Sequence, residues 1–152
     1  MNLGTHRFSD LGTVIDRVHA LFSGWEEFAL SGAEVDVQAL CRVKLAAHEW
    51  LANLVQHATF DARCPEISLQ LRIEGDRIDC TIEDNSDGFD LEEQLMQRNG
   101  LIEPYPERGM GLLMLNACTD ELDYQPVDDN KNRLTFTITV NKDPWLEIPF
   151  HT

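Results

Sequence analysis

Ile67-Ser68-Leu69-Gln70-Leu71-Arg72-Ile73-Glu74-Gly75-Asp76-Arg77-Ile78-Asp79-Cys80-Thr81-Ile82-Glu83-Asp84 is the stretch that decides the architecture. Ile67, Leu69, Leu71 and Ile73 alternate with Ser68, Gln70 and Arg72, the period of a half-buried strand. Gly75-Asp76 is a tight connection, after which Ile78, Cys80 and Ile82 fall on one face of a second strand. The two read as an antiparallel hairpin with one face on a core. By parity Asp84 shares the face of Ile78, Cys80 and Ile82, so a carboxylate stands at the inward end of a strand and needs a hydrogen-bond donor.

Working outward toward the N-terminus, the period changes from two to that of a helix. Over residues 9–30, Leu11, Val14, Ile15, Val18, Leu21 and Phe22 recur at three- and four-residue steps, with Ser9 or Asp10 as a candidate cap. Ser31-Gly32 is a break. A longer helix is predicted over 35–58, its apolar stripe made by Leu40, Val43, Ala47, Leu51, Leu54, Val55 and Ala58. On the other side of the hairpin, residues 85–107 are irregular, with a helical turn at 91–97 followed by Asn99-Gly100, Pro104 and Pro106. A connection of that length inside a compact domain points to a segment that closes over a ligand. A helix over 109–117 follows, then a short strand over 121–125 and a long one over 133–140. In the long one Leu134, Phe136, Ile138 and Val140 face one way, and Asp128, Asp129, Asn130 and Lys131 make the turn before it. The tail, with Pro144 and Pro149, is expected to be loosely held. The order helix, helix, strand, strand, lid, helix, strand, strand is an α+β two-layer sandwich, with helices on one face of a mostly antiparallel sheet.

Composition narrows the partners. The chain has 152 residues, enough for one domain with a sizeable core. Its 12 Lys and Arg against 27 Asp and Glu give a net charge of −15, which argues against non-specific nucleic-acid binding and against docking on an anionic membrane. A large partner would carry basic patches. No run of about 18 apolar residues is present for a membrane span, and no signal peptide is read at the N-terminus. Cys41, Cys64, Cys80 and Cys118 form no Cys-x-x-Cys pair, and they are expected to be reduced core or half-buried thiols of a cytoplasmic protein.

Three clusters could carry chemistry. Glu49, Asn53 and His57 are spaced by four on the long helix, so they climb one narrow strip beside the apolar stripe. Carboxylate and amide oxygens in such a strip suit a hard cation such as Mg²⁺, although an isolated Glu-x-x-x-Asn is more commonly a solvated helix face. His48 and His57 lie on opposite sides of that helix and make no two-histidine metal site. The second cluster is Asp84-Asn85-Ser86-Asp87-Gly88-Phe89-Asp90. There the exocyclic amine of a purine is one donor that could satisfy Asp84, and Gly88 permits close approach or a positive φ. The bland alternative is an Asx-type turn. The third is Arg108-Gly109-Met110-Gly111 at the start of a helix, where free N–H groups and the positive dipole end make an anion site. Neither a P-loop nor a dinucleotide-binding fingerprint is present.

In this order and placement the three clusters resemble the N, G1 and G2 boxes of the GHKL, or Bergerat-fold, ATP-binding superfamily. The form Glu49-x-x-x-Asn53-x-x-x-His57-Ala58 is similar to the bacterial serine-kinase anti-sigma factors. The resemblance covers about 35–141, with residues 1–34 as an added helical segment of the same domain. It implies that Asn53 holds Mg²⁺, that Glu49 is the general base, and that Asp84 reads the adenine amine with Gly88 shaping the pocket floor. It further implies that Arg108, Gly109, Met110 and Gly111 wrap the phosphates and that residues 91–107 form an ATP lid. Ser86 stands where the common Asp-x-Gly-x-Gly pattern has its first glycine, and a positive φ there would strain a serine.

The function so implied is an ATP-dependent serine protein kinase. It would phosphorylate a STAS-type anti-anti-sigma partner, sequester a sigma factor and pair into a homodimer. The alternatives are a non-catalytic nucleotide-binding module of anti-sigma type and, less favoured, a histidine-kinase catalytic domain.

Overall fold

A computed structural model of the chain describes residues 1–32, 35–89, 110–128 and 130–140. Its elements are β1 (Asn2–Phe8), α1 (Val14–Leu30), α2 (Val37–His57), β2 (Ile67–Glu74), β3 (Arg77–Asp84), α3 (Met110–Cys118), β4 (Glu121–Asp128) and β5 (Lys131–Thr139). The five strands make one sheet in the order β1-β2-β3-β5-β4, and every neighbouring pair is antiparallel. Helices cover one face, as the alternation of apolar residues requires.

The register stacks the inward residues in rows. Leu69 pairs with Ile82, which pairs with Leu134; Leu71 pairs with Cys80, which pairs with Phe136; Ile73 pairs with Ile78, which pairs with Ile138. All nine are buried. Onto them α2 lays Leu40, Val43, Ala47, Leu51 and Leu54, and α1 adds Val14, Val18 and Phe22. Asp36 caps α2 by accepting from the Ala39 N–H at 2.9 Å, a contact of a kind that contributes about 1 kcal/mol. At the other end of the sheet's reach, the Arg42 guanidinium donates to the carbonyls of Thr139 and Val140, tying α2 to the end of β5.

The structure departs from the sequence expectation at four places. The N-terminal stretch begins with a strand, β1, rather than being helical throughout. Only Phe8 of β1 is buried, so alternation gave no signal; the strand is held at the sheet edge by backbone pairing to β2. Asp10 caps no helix: its carboxylate accepts from Gly12 and Thr13 in the turn ahead of α1, whose first residue is Val14. The β4–β5 hairpin is tighter than expected, because β4 continues to Asp128 and β5 starts at Lys131. Pro126 is tolerated since β4 is an edge strand, and Asn130 takes the left-handed conformation of the turn at φ 55°. Finally, Cys80 and Cys118 are buried, but Cys41 and Cys64 are exposed rather than half-buried; all four are free thiols. No described helix is long and apolar enough to cross a membrane.

Candidate functional site

The row that follows Leu69–Ile82–Leu134 breaks the apolar pattern. There Ile67 pairs with Asp84, and Asp84 with Asn132. All three are buried, so the helix-covered face ends in a carboxylate and an amide. The Asp84 Oδ1 oxygen accepts from the Ser86 N–H at 2.9 Å, from the Ser86 hydroxyl at 2.5 Å and from the Asn132 side-chain amide at 3.3 Å. The same amide nitrogen donates to the Ser86 carbonyl at 2.9 Å. The second oxygen, Asp84 Oδ2, is buried and has no partner.

Ser86 is not strained. Among the described residues, Asp61 and Asn130 are the non-glycine positions with positive φ. Ser86 is 1% exposed, and its hydroxyl both donates to Asp84 and accepts from the Gly88 N–H at 3.1 Å. The left-handed position is Gly88, at φ +86°, where a Cβ would come within 2.9 Å of the Asn132 side-chain oxygen. Gly88 is therefore required twice, by conformation and by space. A brace holds this loop from outside: Arg63 donates to the Asn85 carbonyl at 2.9 Å and pairs with Asp87, and the Asn85 side chain bridges Glu66 N and Cys64 O.

Helix α2 packs on β3 and β5. Along its strip Glu49 is half-buried, Asn53 is buried at 8% exposure and His57 is exposed. The Asn53 side-chain nitrogen is buried without a partner, and so is Trp50 Nε1, one turn earlier. Trp50 packs on Tyr124 of β4 with ring centroids 5.0 Å apart and edge-on to Phe89 at 6.0 Å. The Tyr124 hydroxyl accepts from the Phe89 N–H at 3.2 Å. Burial and, next, the Asp84 charge push the Tyr124 phenol upward, so it stays protonated. Trp50 Nε1, Asn53 Nδ2 and Asp84 Oδ2 are the buried side-chain polar atoms without partners among the described residues. Trp50 and Asn53 stand on α2 and Asp84 at the polar end of the sheet, linked by Tyr124, which packs on Trp50 and feels the Asp84 charge; this seam is termed the crevice. An orphaned buried polar atom costs about 1–3 kcal/mol, so each of the three calls for a partner that the described residues do not supply.

Of the residues singled out in the sequence, Glu49 and Asn53 stand on α2, Asp84 ends β3 and Gly88 lies in the loop after it. Met110 and Gly111 form the first turn of α3, while Arg108, Gly109, Asp90, the 91–107 lid and the tail lie outside the described residues. Ser86 in its present role, Asn132, Trp50 and Tyr124 were not foreseen. Asn132 was legible by parity with Leu134, Phe136 and Ile138, but it falls one residue ahead of the expected strand. No group of three or more His, Cys, Asp or Glu side chains that could hold a metal occurs among the described residues. A cavity of about 450 Å³ reaches the polar end of the sheet, lined by Thr5, Arg7, Ser68, Glu83 and Lys131 together with Ile67, Asp84 and Asn85. It shares neither Glu49 nor Asn53 with the crevice.

Residues 13–138 match the family model described as the histidine kinase-like ATPase domain. The chain belongs to that family. It is also 33% identical over 86 residues to the serine-protein kinase RsbW of Oceanobacillus iheyensis, covering 53% of this chain and 54% of that one. With the RsbW of Bacillus velezensis it shares 27% identity over 88 residues, and with that of Bacillus subtilis 26% over 88 residues, covering 55% of each chain in both cases. The chain thus matches about half the length of these curated relatives. Membership in an ATPase-domain family implies ATP binding.

Proposed function

We propose that this chain is an ATP-dependent serine protein kinase of the anti-sigma type. The single observation that carries the reading is the Asp84 carboxylate, with one oxygen fixed and the other buried and unpaired. A purine amine supplies the donor that this oxygen lacks. Similarity to serine-protein kinases supports the class of acceptor, a serine hydroxyl.

The residues present fit a Mg²⁺ ion of the kind that accompanies ATP. Asn53 offers a side-chain amide whose nitrogen has no partner, and an amide oxygen is a suitable ligand for a hard cation. A single amide ligand suits Mg²⁺, which keeps most of its coordination for phosphate oxygens and water. When bound there, the ion would neutralise charge on the transferring phosphoryl group.

The protein's own part is positioning and proton transfer. Asp84 fixes the base, with Gly88 leaving room at the floor. Met110 and Gly111 at the start of α3, with Arg108 and Gly109 just before them in sequence, would present N–H groups and positive charge to the phosphates. Glu49, one turn from Asn53 on the same helical strip, accepts the proton of the attacking serine hydroxyl. As that oxygen bonds to the γ-phosphorus, the bond from phosphorus to the bridging oxygen breaks and ADP departs.

The acceptor would be a STAS-type anti-anti-sigma protein, with a sigma factor as the alternative occupant of the protein's docking surface and a homodimer as the working unit in the cytoplasm. A net charge of −15 complements a basic sigma surface. Two measurements test the reading. Calorimetric titration with ADP and ATP, with and without Mg²⁺, should show micromolar-class nucleotide binding. Incubation with Mg²⁺-ATP and the STAS partner should phosphorylate a serine, and Glu49→Gln should retain binding while slowing transfer by about 10²–10⁴-fold. Binding without transfer by the unaltered protein would leave a nucleotide-holding interaction module; absence of binding removes the kinase reading altogether.

A further inference from the structure

We propose that Ser86 and Asn132 are positioning residues that set the base selectivity of the site by immobilising the Asp84 carboxylate. The inference rests on the nucleotide reading above and deepens it. Asp84 Oδ1 is saturated: it receives the Ser86 N–H at 2.9 Å, the Ser86 hydroxyl at 2.5 Å and the Asn132 amide at 3.3 Å. The clamp is itself cross-braced, because Asn132 also donates to the Ser86 carbonyl at 2.9 Å and the Ser86 hydroxyl accepts from Gly88 N at 3.1 Å. Ser86 and Asn132 are 1% and 6% exposed, so water does not substitute for these donors. A glycine at position 86 would keep the N–H bond but lose the hydroxyl bond.

Immobilisation matters because a carboxylate can otherwise pivot about its Cβ–Cγ bond. With Oδ1 committed, only Oδ2 is left without a partner, and it is a pure acceptor. Adenine presents an amino group to such an oxygen. Hypoxanthine presents a carbonyl oxygen at the same place, which an immobile carboxylate repels, with an N–H beside it. A carboxylate free to turn can avoid the carbonyl and reach that N–H. Rigidity of Asp84, and not merely its presence, therefore decides how well adenine is told from hypoxanthine. A site whose buried polar groups are held in place rejects the wrong partner far more strongly than one that can adapt.

The test is titration of the full chain with ADP and with IDP, for the unaltered protein and for Ser86→Ala, Ser86→Thr and Asn132→Ala, each with its thermal melt. The unaltered protein should prefer ADP by at least about tenfold. Ser86→Ala and Asn132→Ala should each weaken ADP by about five- to tenfold and bring the ADP:IDP ratio below about threefold, while Ser86→Thr, which keeps the hydroxyl, should restore the ratio. A purely structural role would lower the melting temperature and weaken both nucleotides alike, leaving the ratio intact. That result in either alanine variant overturns the proposal. Should Ser86→Ala fail to fold, Asn132→Ala reads the same ratio from the other donor. Failure of the unaltered protein to bind ADP overturns the nucleotide reading itself, whereas ADP binding with an unchanged ratio overturns only the clamp.

Discussion

The middle of the helix-covered sheet face and its polar end are built by the same register and end in opposite states. In the middle, Leu71, Cys80 and Phe136 lie side by side, all buried, with no polar atom left without a partner. One row further on than Leu69, Ile82 and Leu134, the same three strands bring together Ile67, Asp84 and Asn132. Burial is as complete there, but Asp84 Oδ2 remains unpaired and so do Asn53 and Trp50 on the facing helix. Hydrocarbon in the middle rows gives stability; the end row gives some of it up to keep open valences in a dry place. The difference teaches where to look for function in a fold of this kind: where an otherwise regular core stops satisfying itself.

The two regions should break differently. Phe136→Ala opens a cavity beneath α2 in the centre of the stack and should cost about 3–5 kcal/mol in denaturant unfolding, with any folded remainder still binding ADP. Asp84→Asn should do the reverse. The asparagine oxygen can still accept from Ser86 and Asn132, so stability should change by less than about 1 kcal/mol. Its amide nitrogen would replace the open acceptor with a donor that confronts the purine amine, and ADP affinity should fall by about 100-fold in titration. Equal stability losses for the two substitutions would erase the distinction between the regions.

Gly88→Ala probes the boundary at smaller scale. The added methyl forces a left-handed residue to carry a Cβ and brings it within 2.9 Å of the Asn132 oxygen. We expect a loss of about 1–3 kcal/mol in unfolding free energy, together with weaker ADP binding, because the side chain displaced also carries the amide nitrogen that donates to Asp84. Loss of stability with no change in affinity would show that the floor of the crevice and its reading carboxylate are mechanically separate.

The fold was legible in the sequence to the extent that one face of each element carried hydrocarbon. The hairpin from Ile67 to Asp84 announces itself through strict alternation, and α2 through its stripe. β1 was silent because an edge strand that buries only Phe8 is held by backbone bonds, which leave no pattern in side chains. At the site, the inward parity of Asp84 could be read from the hairpin. The reason for Ser86 could not: its value lies in a hydroxyl aimed at Asp84 two residues earlier and in an amide from Asn132, 46 residues away, and only the β3–β5 register brings that amide to it. Trp50 similarly reads as core, and it is core; its unpaired Nε1 becomes visible only once Tyr124 and Phe89 are in place around it.

The smallest effect belongs to a third polar contact, one that is satisfied. Between α1 and α2, His19 Nε2 meets His48 Nδ1 at 3.0 Å, so one imidazole donates and the other accepts. Burial, then the neighbouring His48 and Lys44, hold His19 below its ordinary value of 6.5, against an opposing pull from Asp16. The folded state therefore binds fewer protons than the unfolded one in this range, and stability rises with pH. The contribution is fully present above 6.5 and is lost as pH falls through the lower folded value. Because the pair is partly solvated, screening keeps the effect small. Thermal melts should drop by about 2 °C between pH 7.5 and 5.5 from this pair, and His19→Gln, which keeps a donor and an acceptor without titrating, should remove that share of the slope. ADP affinity, measured across the same range, should not follow the imidazoles: the seam between the helices closes on itself, whereas the crevice at Asp84 waits for its partner. A pH dependence of binding that disappears in His19→Gln would show that the two places are coupled through α2, and the contrast between satisfied and open polar contacts would then have to be redrawn along that helix.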